Sequence, residues 1–245
     1  MDITKSQSLT CRIIILFLLG IFSIRAIAQQ KIDASSIIED LKIGKSVTYT
    51  DAIITGDLDF TFMDEKLPDL PTRSKWRNNG GDNSVEESIS QNIYFKNCVF
   101  EGNVLAYIHH EASGYTFIAH FDGEVTFEGC KFNENAMFKY SEFDRKASFS
   151  KSKFLNESTF KYAEFDEYGD FSETYFERDA TFKYAQFDAG VSFSNTTFDE
   201  SWNIKYLKAS GDFDIKGLEV NDDVDAKYTR INGRSFSSYL ISSRD

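Results

Sequence analysis

Large apolar residues recur along this chain in alternating steps of five and six. From residue 121 the phenylalanines fall at 121, 127, 132, 138, 143, 149, 154, 160, 165, 171, 176, 182, 187, 193 and 198. The frame continues through Ile204, Ala209, Ile215, Val220, Ala226 and Ile231. A smaller residue stands two positions before most of them, as in Val125, Cys130, Ala136, Ser141 and Ala147. Near the end the sizes trade places: Trp202, Leu207, Phe213 and Leu218 take the earlier slot, and Ala209 and Ala226 take the main one. Positions that exchange volume share one interior, because cores keep total volume more strictly than identity.

The polar residues set the full period. Lys-Tyr occurs at 139–140, 161–162, 183–184, 205–206 and 227–228, always 22 residues apart, while the intervening units carry pairs such as Ser150-Lys151 and Ser172-Glu173. Inward sites at 0, 5 and 11 do not follow the helical period of about 3.6, and a continuous strand would repeat every second residue. Short extended segments joined by corners and wound into a coil fit both numbers. A fixed period of this size is the signature of a solenoid. The predicted class is all-β, with about 22 residues and four inward-facing sides per coil.

Units such as AEFDEYGDFSETYF and AQFDAGVSFSNTTF resemble the A-x-[FL] steps of the pentapeptide-repeat family. The resemblance covers roughly residues 47–60 and 93–231, and it implies a right-handed, four-sided parallel β-helix. Every second step here is six residues rather than five, so longer corners are expected on alternate sides. The family is mostly non-catalytic. Some of its cytoplasmic members resemble DNA in shape and charge and bind topoisomerases.

The N-terminus changes the expected setting. Lys5 and Arg12 precede an apolar run from Ile13 to Ile24, followed by Ala26-Ile27-Ala28, a small-x-small cleavage pattern. That run is too short to span a bilayer, which takes about 20 residues, and it reads as a signal peptide over 1–28. The expected location is the periplasm, the cell surface or the medium, with no stable membrane span after cleavage. Removing Lys5, Arg12, Arg25 and Asp2 leaves 24 basic and 38 acidic residues, a net charge near −14. Such a balance argues against binding a nucleic-acid backbone, which needs Lys and Arg, and export separates the chain from the topoisomerases that an acidic mimic would meet.

Residues 29–46 are expected to cover the open edge of the first coil. Asp33 to Lys42 reads as a short amphipathic helix, with Ser35 or Ser36 as cap and Ile37, Ile38, Leu41 and Ile43 as its apolar stripe. The solenoid is assigned to 47–231, interrupted by a loop over 61–92 that holds both prolines, Pro68 and Pro71. Phe95 to Phe117 is again 22 residues, so the coil is expected to run on through 107–116 with one irregular face. In that register Lys96 matches Lys139, Glu101 joins the acid series Asp122, Asp144, Asp166 and Asp188, and Cys98 stacks on Ala119. Cys98 and Cys130 are then two buried free thiols on different faces; if 107–116 loops out instead, they stack and can join. Residues 232–245 are a tail that can supply a last edge strand.

The predicted function is an exported, non-enzymatic β-helical scaffold or protein-binding module, its partner a protein or glycan of the cell envelope. The preferred recognition surface is the loop cluster Arg73, Lys75, Trp76 and Arg77, a basic and aromatic group on an acidic chain. The alternative is carbohydrate binding along the edge formed by Lys139, Tyr140, Lys161, Tyr162, Lys183, Tyr184, Lys205, Tyr206, Lys227 and Tyr228. A polysaccharide-active enzyme ranks third, since no serine elbow, Cys/His pair or phosphate-cradling loop is present. The acid series offers one carboxylate per coil, and His109, His110 and His120 lack a zinc spacing. No cofactor and no metal are expected.

Overall fold

A computed structural model describes residues 29–71 and 83–242. Four mostly parallel sheets form the walls of a β-helix. Sheet I begins with Val47–Thr50, sheet II with Gln30–Asp33, sheet III with Leu58–Asp59 and sheet IV with Ser84–Ile89. Each coil passes through I, II, III and IV in turn. From Lys131 onward every strand of the coil is two residues long. The reason is the small-x-Phe unit: Ala136 and Phe138 point inward and are buried, while Met137 between them faces out.

The walls are stitched in both directions. In sheets I and III an earlier coil donates to the next, as Phe160 N–H does to Thr181 O at 2.8 Å. In sheets II and IV the later coil donates back, as Asp166 N–H does to Phe143 O at 3.0 Å. Inside, equivalent rings stack on one another. Phe165 lies 4.6 Å from Phe143 and 4.5 Å from Phe187. Rings from neighbouring walls meet edge-on, as Phe149 and Phe160 do at 5.1 Å and 75°, the geometry that the ring quadrupole favours.

The alternation of five and six is a property of the corners. The five-residue corners, I to II and III to IV, close through one residue in the left-handed region: Lys151, Glu173 and Asn195 on one side, Tyr140, Tyr162, Tyr184, Tyr206 and Tyr228 on the other. That single reversal turns the chain within fewer residues. The six-residue corners, II to III and IV to I, are wider bends such as 144–146.

Helix α1, Ala34–Lys42, covers the first coil with Ala34, Ile37, Ile38 and Leu41 buried. Its N-cap is Asp33, which accepts from Ser35 N–H at 2.9 Å and Ser35 Oγ at 2.7 Å, so neither Ser35 nor Ser36 takes that position. The aspartate wins because its charged Oδ1 accepts both bonds at once. Before the helix, Gln30–Asp33 pairs with Ala52–Thr55 in sheet II, so part of the expected cap segment 29–46 is itself wall.

Two insertions interrupt the coil, and both leave at the III-to-IV corner. The first contains α2, Met63–Lys66, and a 3-10 turn, Leu67–Asp69. It is shorter than the expected 61–92 loop, because Ser84–Ile89 is a strand of sheet IV in parallel register with Thr116–Phe121. The second is a hairpin of Tyr107–His110 against Tyr115–Phe121. The continuous register through 107–116 is therefore wrong. Phe95 pairs with Phe127, not with Phe117, and Ile93 with Val125, a spacing of 32. Lys96 then sits beside Glu128, and Glu101 drops out of the acid series, pairing instead with Lys31 at 3.4 Å.

At the C-terminal end Arg234–Ser235 folds back on Arg230–Ile231. Helix α3, Phe236–Ser242, then lays Phe236 near Trp202 and Phe213, at 6.3 Å each. The far edge is thus covered by a short strand and a helix.

Candidate functional site

The Lys/Tyr pairs come together as one ridge along the III-to-IV corner. Tyr140, Tyr162, Tyr184, Tyr206 and Tyr228 stack in sequence, with centroids 4.9, 4.6, 4.6 and 4.8 Å apart. Each lysine reaches over its own tyrosine: Lys139 Nζ is 4.8 Å from the Tyr140 centroid, and Lys161 5.1 Å from that of Tyr162. Stacking covers the ring faces, so the ridge presents mostly edges; Tyr228, at the open end, is 56% exposed. The ammonium groups crowd one another. Burial, then repulsion from Lys139 and Lys183, lowers the pKa of Lys161.

The ridge begins at the insertions. Lys139 Nζ donates to Tyr107 Oη at 3.1 Å and lies 4.5 Å from that ring. From there Ser84–Ile89, Tyr115–Phe121 and Tyr107–His110 form a three-stranded flange that leaves the coil wall. Phe117 and Ile118 are buried within it. The first insertion is tied to its tip at both ends: Tyr115 Oη donates to Pro71 O at 3.1 Å, and Asn83 Nδ2 to Gly114 O at 2.7 Å. Lys66 pairs with Glu87 at 2.6 Å. Leu67, Leu70, Pro71, His110, Ala112, Ser113 and Tyr115 line a shallow depression of about 280 Å³. Arg73, Lys75, Trp76 and Arg77 lie outside the described residues, as does the expected signal peptide. Periodicity reasoning missed the flange because Phe117 mimics a coil position.

A family model for pentapeptide repeats, in nine copies, matches residues 138–184. The chain carries pentapeptide repeats. The matched segment lies within the run of two-residue strands, and the same walls continue on both sides of it. No curated protein and no solved structure matches the chain.

The remaining candidates take ordinary places on this pentapeptide-repeat coil. Asp122, Asp144, Asp166 and Asp188 each follow sheet IV and recur one per coil. His109 Nδ1 is 3.0 Å from Thr116 Oγ1, and His110 Nδ1 is 2.9 Å from Ser113 Oγ, which fixes both rings to the flange. His120 Nδ1 accepts from the Glu142 N–H at 3.2 Å. Among the described residues no group of His, Cys, Asp or Glu is arranged to hold a metal, and no helix is long and apolar enough to cross a membrane.

Cys98 and Cys130 are buried and free, yet they do not lie on different faces. The hairpin loops out, so both stand just before paired strands of sheet II, with Lys131 N–H donating to Cys98 O at 2.8 Å. Their inward column continues through Ser152, Thr174 and Thr196, whose hydroxyls donate to carbonyls of the preceding coil at 2.6, 2.9 and 2.6 Å.

Proposed function

We infer that this protein is an exported, non-catalytic scaffold that presents a protein-binding surface where its two insertions meet. The coil supplies rigidity. Pentapeptide repeats generally serve as structural or binding modules, and loops held on rigid frames usually carry recognition. The observation that carries the reading is the lock between the insertions, Tyr115 to Pro71 and Asn83 to Gly114. Two excursions from successive coils leave at one corner and are tied into one surface, which a merely tolerated loop does not require. Arg73, Lys75, Trp76 and Arg77 belong to the segment joining Pro71 to Asn83, and in this proposal they make the contacts. Export rests on the pattern of residues 1–28 alone.

The test replaces Tyr107 to Ile118 with Lys-Tyr, which shortens the 32-residue spacing to the 22 of the later coils. Circular dichroism is expected to keep the β-helix, while an envelope partner captured by the wild type, and also lost from Trp76→Ala, is no longer retained. Capture that is indifferent to both changes overturns the reading.

A second reading, an anionic glycan on the Lys/Tyr ridge, is favoured by the five lysines that recur along one corner, each over its own tyrosine ring, a row of cations that a bound anion would bridge. The closed ring faces weigh against neutral sugars, since stacking needs an open face. Binding of acidic but not neutral glycans on an array, lost in Lys161→Gln/Lys183→Gln, distinguishes it.

A further inference from the structure

We propose that Cys98 and Cys130 are a disulfide-forming pair that clamps the coil across the flange. The two residues occupy one inward column on adjacent strands of sheet II, in the register set by Val99 with Lys131 and Phe100 with Phe132. Parallel neighbours lie about 4.8 Å apart, inside the range of roughly 4.4–6.8 Å between Cα atoms that a disulfide spans. The inference is independent of the binding role assigned to the flange.

The chemistry of the column singles the pair out. Farther along, Ser152, Thr174 and Thr196 use this position to donate a hydrogen bond to the preceding coil. The thiols do so only weakly: Cys98 Sγ is 3.5 Å from Tyr49 O, and Cys130 Sγ is 3.4 Å from Phe95 O. Oxidation therefore gives up little hydrogen bonding. The place also matters. From residue 93 onward, this coil and its neighbour are the ones separated by 32 residues rather than 22. Longer loops cost more entropy to close, and a bridge between 98 and 130 encloses the whole excursion.

The step balances by exchange with an external disulfide such as oxidised glutathione. A thiolate at Cys98 attacks one glutathione sulfur, breaking the S–S bond and releasing one glutathione thiolate. Cys130, deprotonated, then attacks the Cys98 sulfur and expels the second. Both protein thiols are oxidised, and the two protons they lose pass to the released glutathione. Either thiol can make the first attack, because in the unfolded chain neither is yet buried or in contact with the other. Both sites are closed in the finished coil, so the exchange belongs to folding, before the later coils cover them.

The test uses the full chain, unfolded and reduced, then refolded in a glutathione redox buffer, quenched in acid and unfolded for alkylation with N-ethylmaleimide without reductant. No Lys or Arg lies between Asn97 and Cys130, so trypsin places both cysteines in one peptide, Asn97 to Lys131. The expected peptide carries no maleimide and is two hydrogens lighter than its reduced form, and dithiothreitol before alkylation restores two labels. A Cys98→Ser/Cys130→Ser variant is expected to show a denaturation midpoint indifferent to dithiothreitol, unlike the wild type. Two labels on the refolded peptide at every glutathione ratio, or a bridge from Cys11 to either residue, overturns the proposal.

Discussion

Tyr162 and Tyr184 lie face to face, their centroids 4.6 Å apart and their planes within 5°. Each is held at a positive φ, 60° and 62°. A bulky residue in that region is strained. The stack and the lysine over each ring hold the backbone there, so the ridge is both the corner of the coil and the price of its tight turn. What resembles a binding edge in sequence is first a structural column.

This strain can be measured. Tyr162→Ala removes the ring but keeps a Cβ at φ 60°, whereas Tyr162→Gly removes both. Glycine accepts this region without steric cost. Tyr162→Gly is therefore expected to be less destabilised than Tyr162→Ala, with urea midpoints as the readout. The opposite order would mean that the corner is unstrained.

Inside the coil the scale is larger. Phe165 is buried between Phe143 and Phe187. Phe165→Ala is expected to cost about 3–5 kcal/mol through the cavity it leaves, well above either change at Tyr162. Equal losses at 165 and 162 in the same denaturant series would contradict the assignment of inside and outside.

The hydroxyl column tests a weaker force. Thr174 Oγ1 donates to Phe149 O at 2.9 Å, and that carbonyl also accepts from Ser152 N–H at 3.3 Å. Thr174→Val keeps the shape and leaves the carbonyl with one partner, so a loss of about 0.5–1.5 kcal/mol is expected. A loss as large as that of Phe165→Ala would show that the hydroxyl does more than join two coils.

Glu164 gives a pH signature. Burial, then repulsion from Glu142, Asp188 and Asp166, raises its pKa above the ordinary 4.5. A carboxylate shifted upward on folding opposes folding once it is charged, so its penalty is absent below the ordinary value and grows as pH rises through the raised one. Glu164→Gln is expected to stabilise the protein at neutral pH and to match the wild type in acid. Thermal midpoints across pH 3–8 check this, and an advantage that persists unchanged at the acid end would rule out the charge as its cause.

The sequence by itself determined the period, the four walls, the inward phenylalanines and the tyrosine ridge. It could do so because every coil repeats the same local problem, so equivalent residues recur at equal spacing and need no long-range knowledge to identify. The register across the insertions was a different matter. Phe95 to Phe117 has the spacing of one coil, but Phe117 is buried in the flange and Phe95 stacks on Phe127 at 5.3 Å. Both placements bury an aromatic ring, so local pattern favours neither. Only closure of all four walls separates them: removing the hairpin from the coil aligns Ile93, Val99 and Val104 with Val125, Lys131 and Ala136 at once. That tertiary condition decided the meeting of the two insertions and the pairing of Cys98 with Cys130, since both depend on which strands are neighbours rather than on which residues resemble each other.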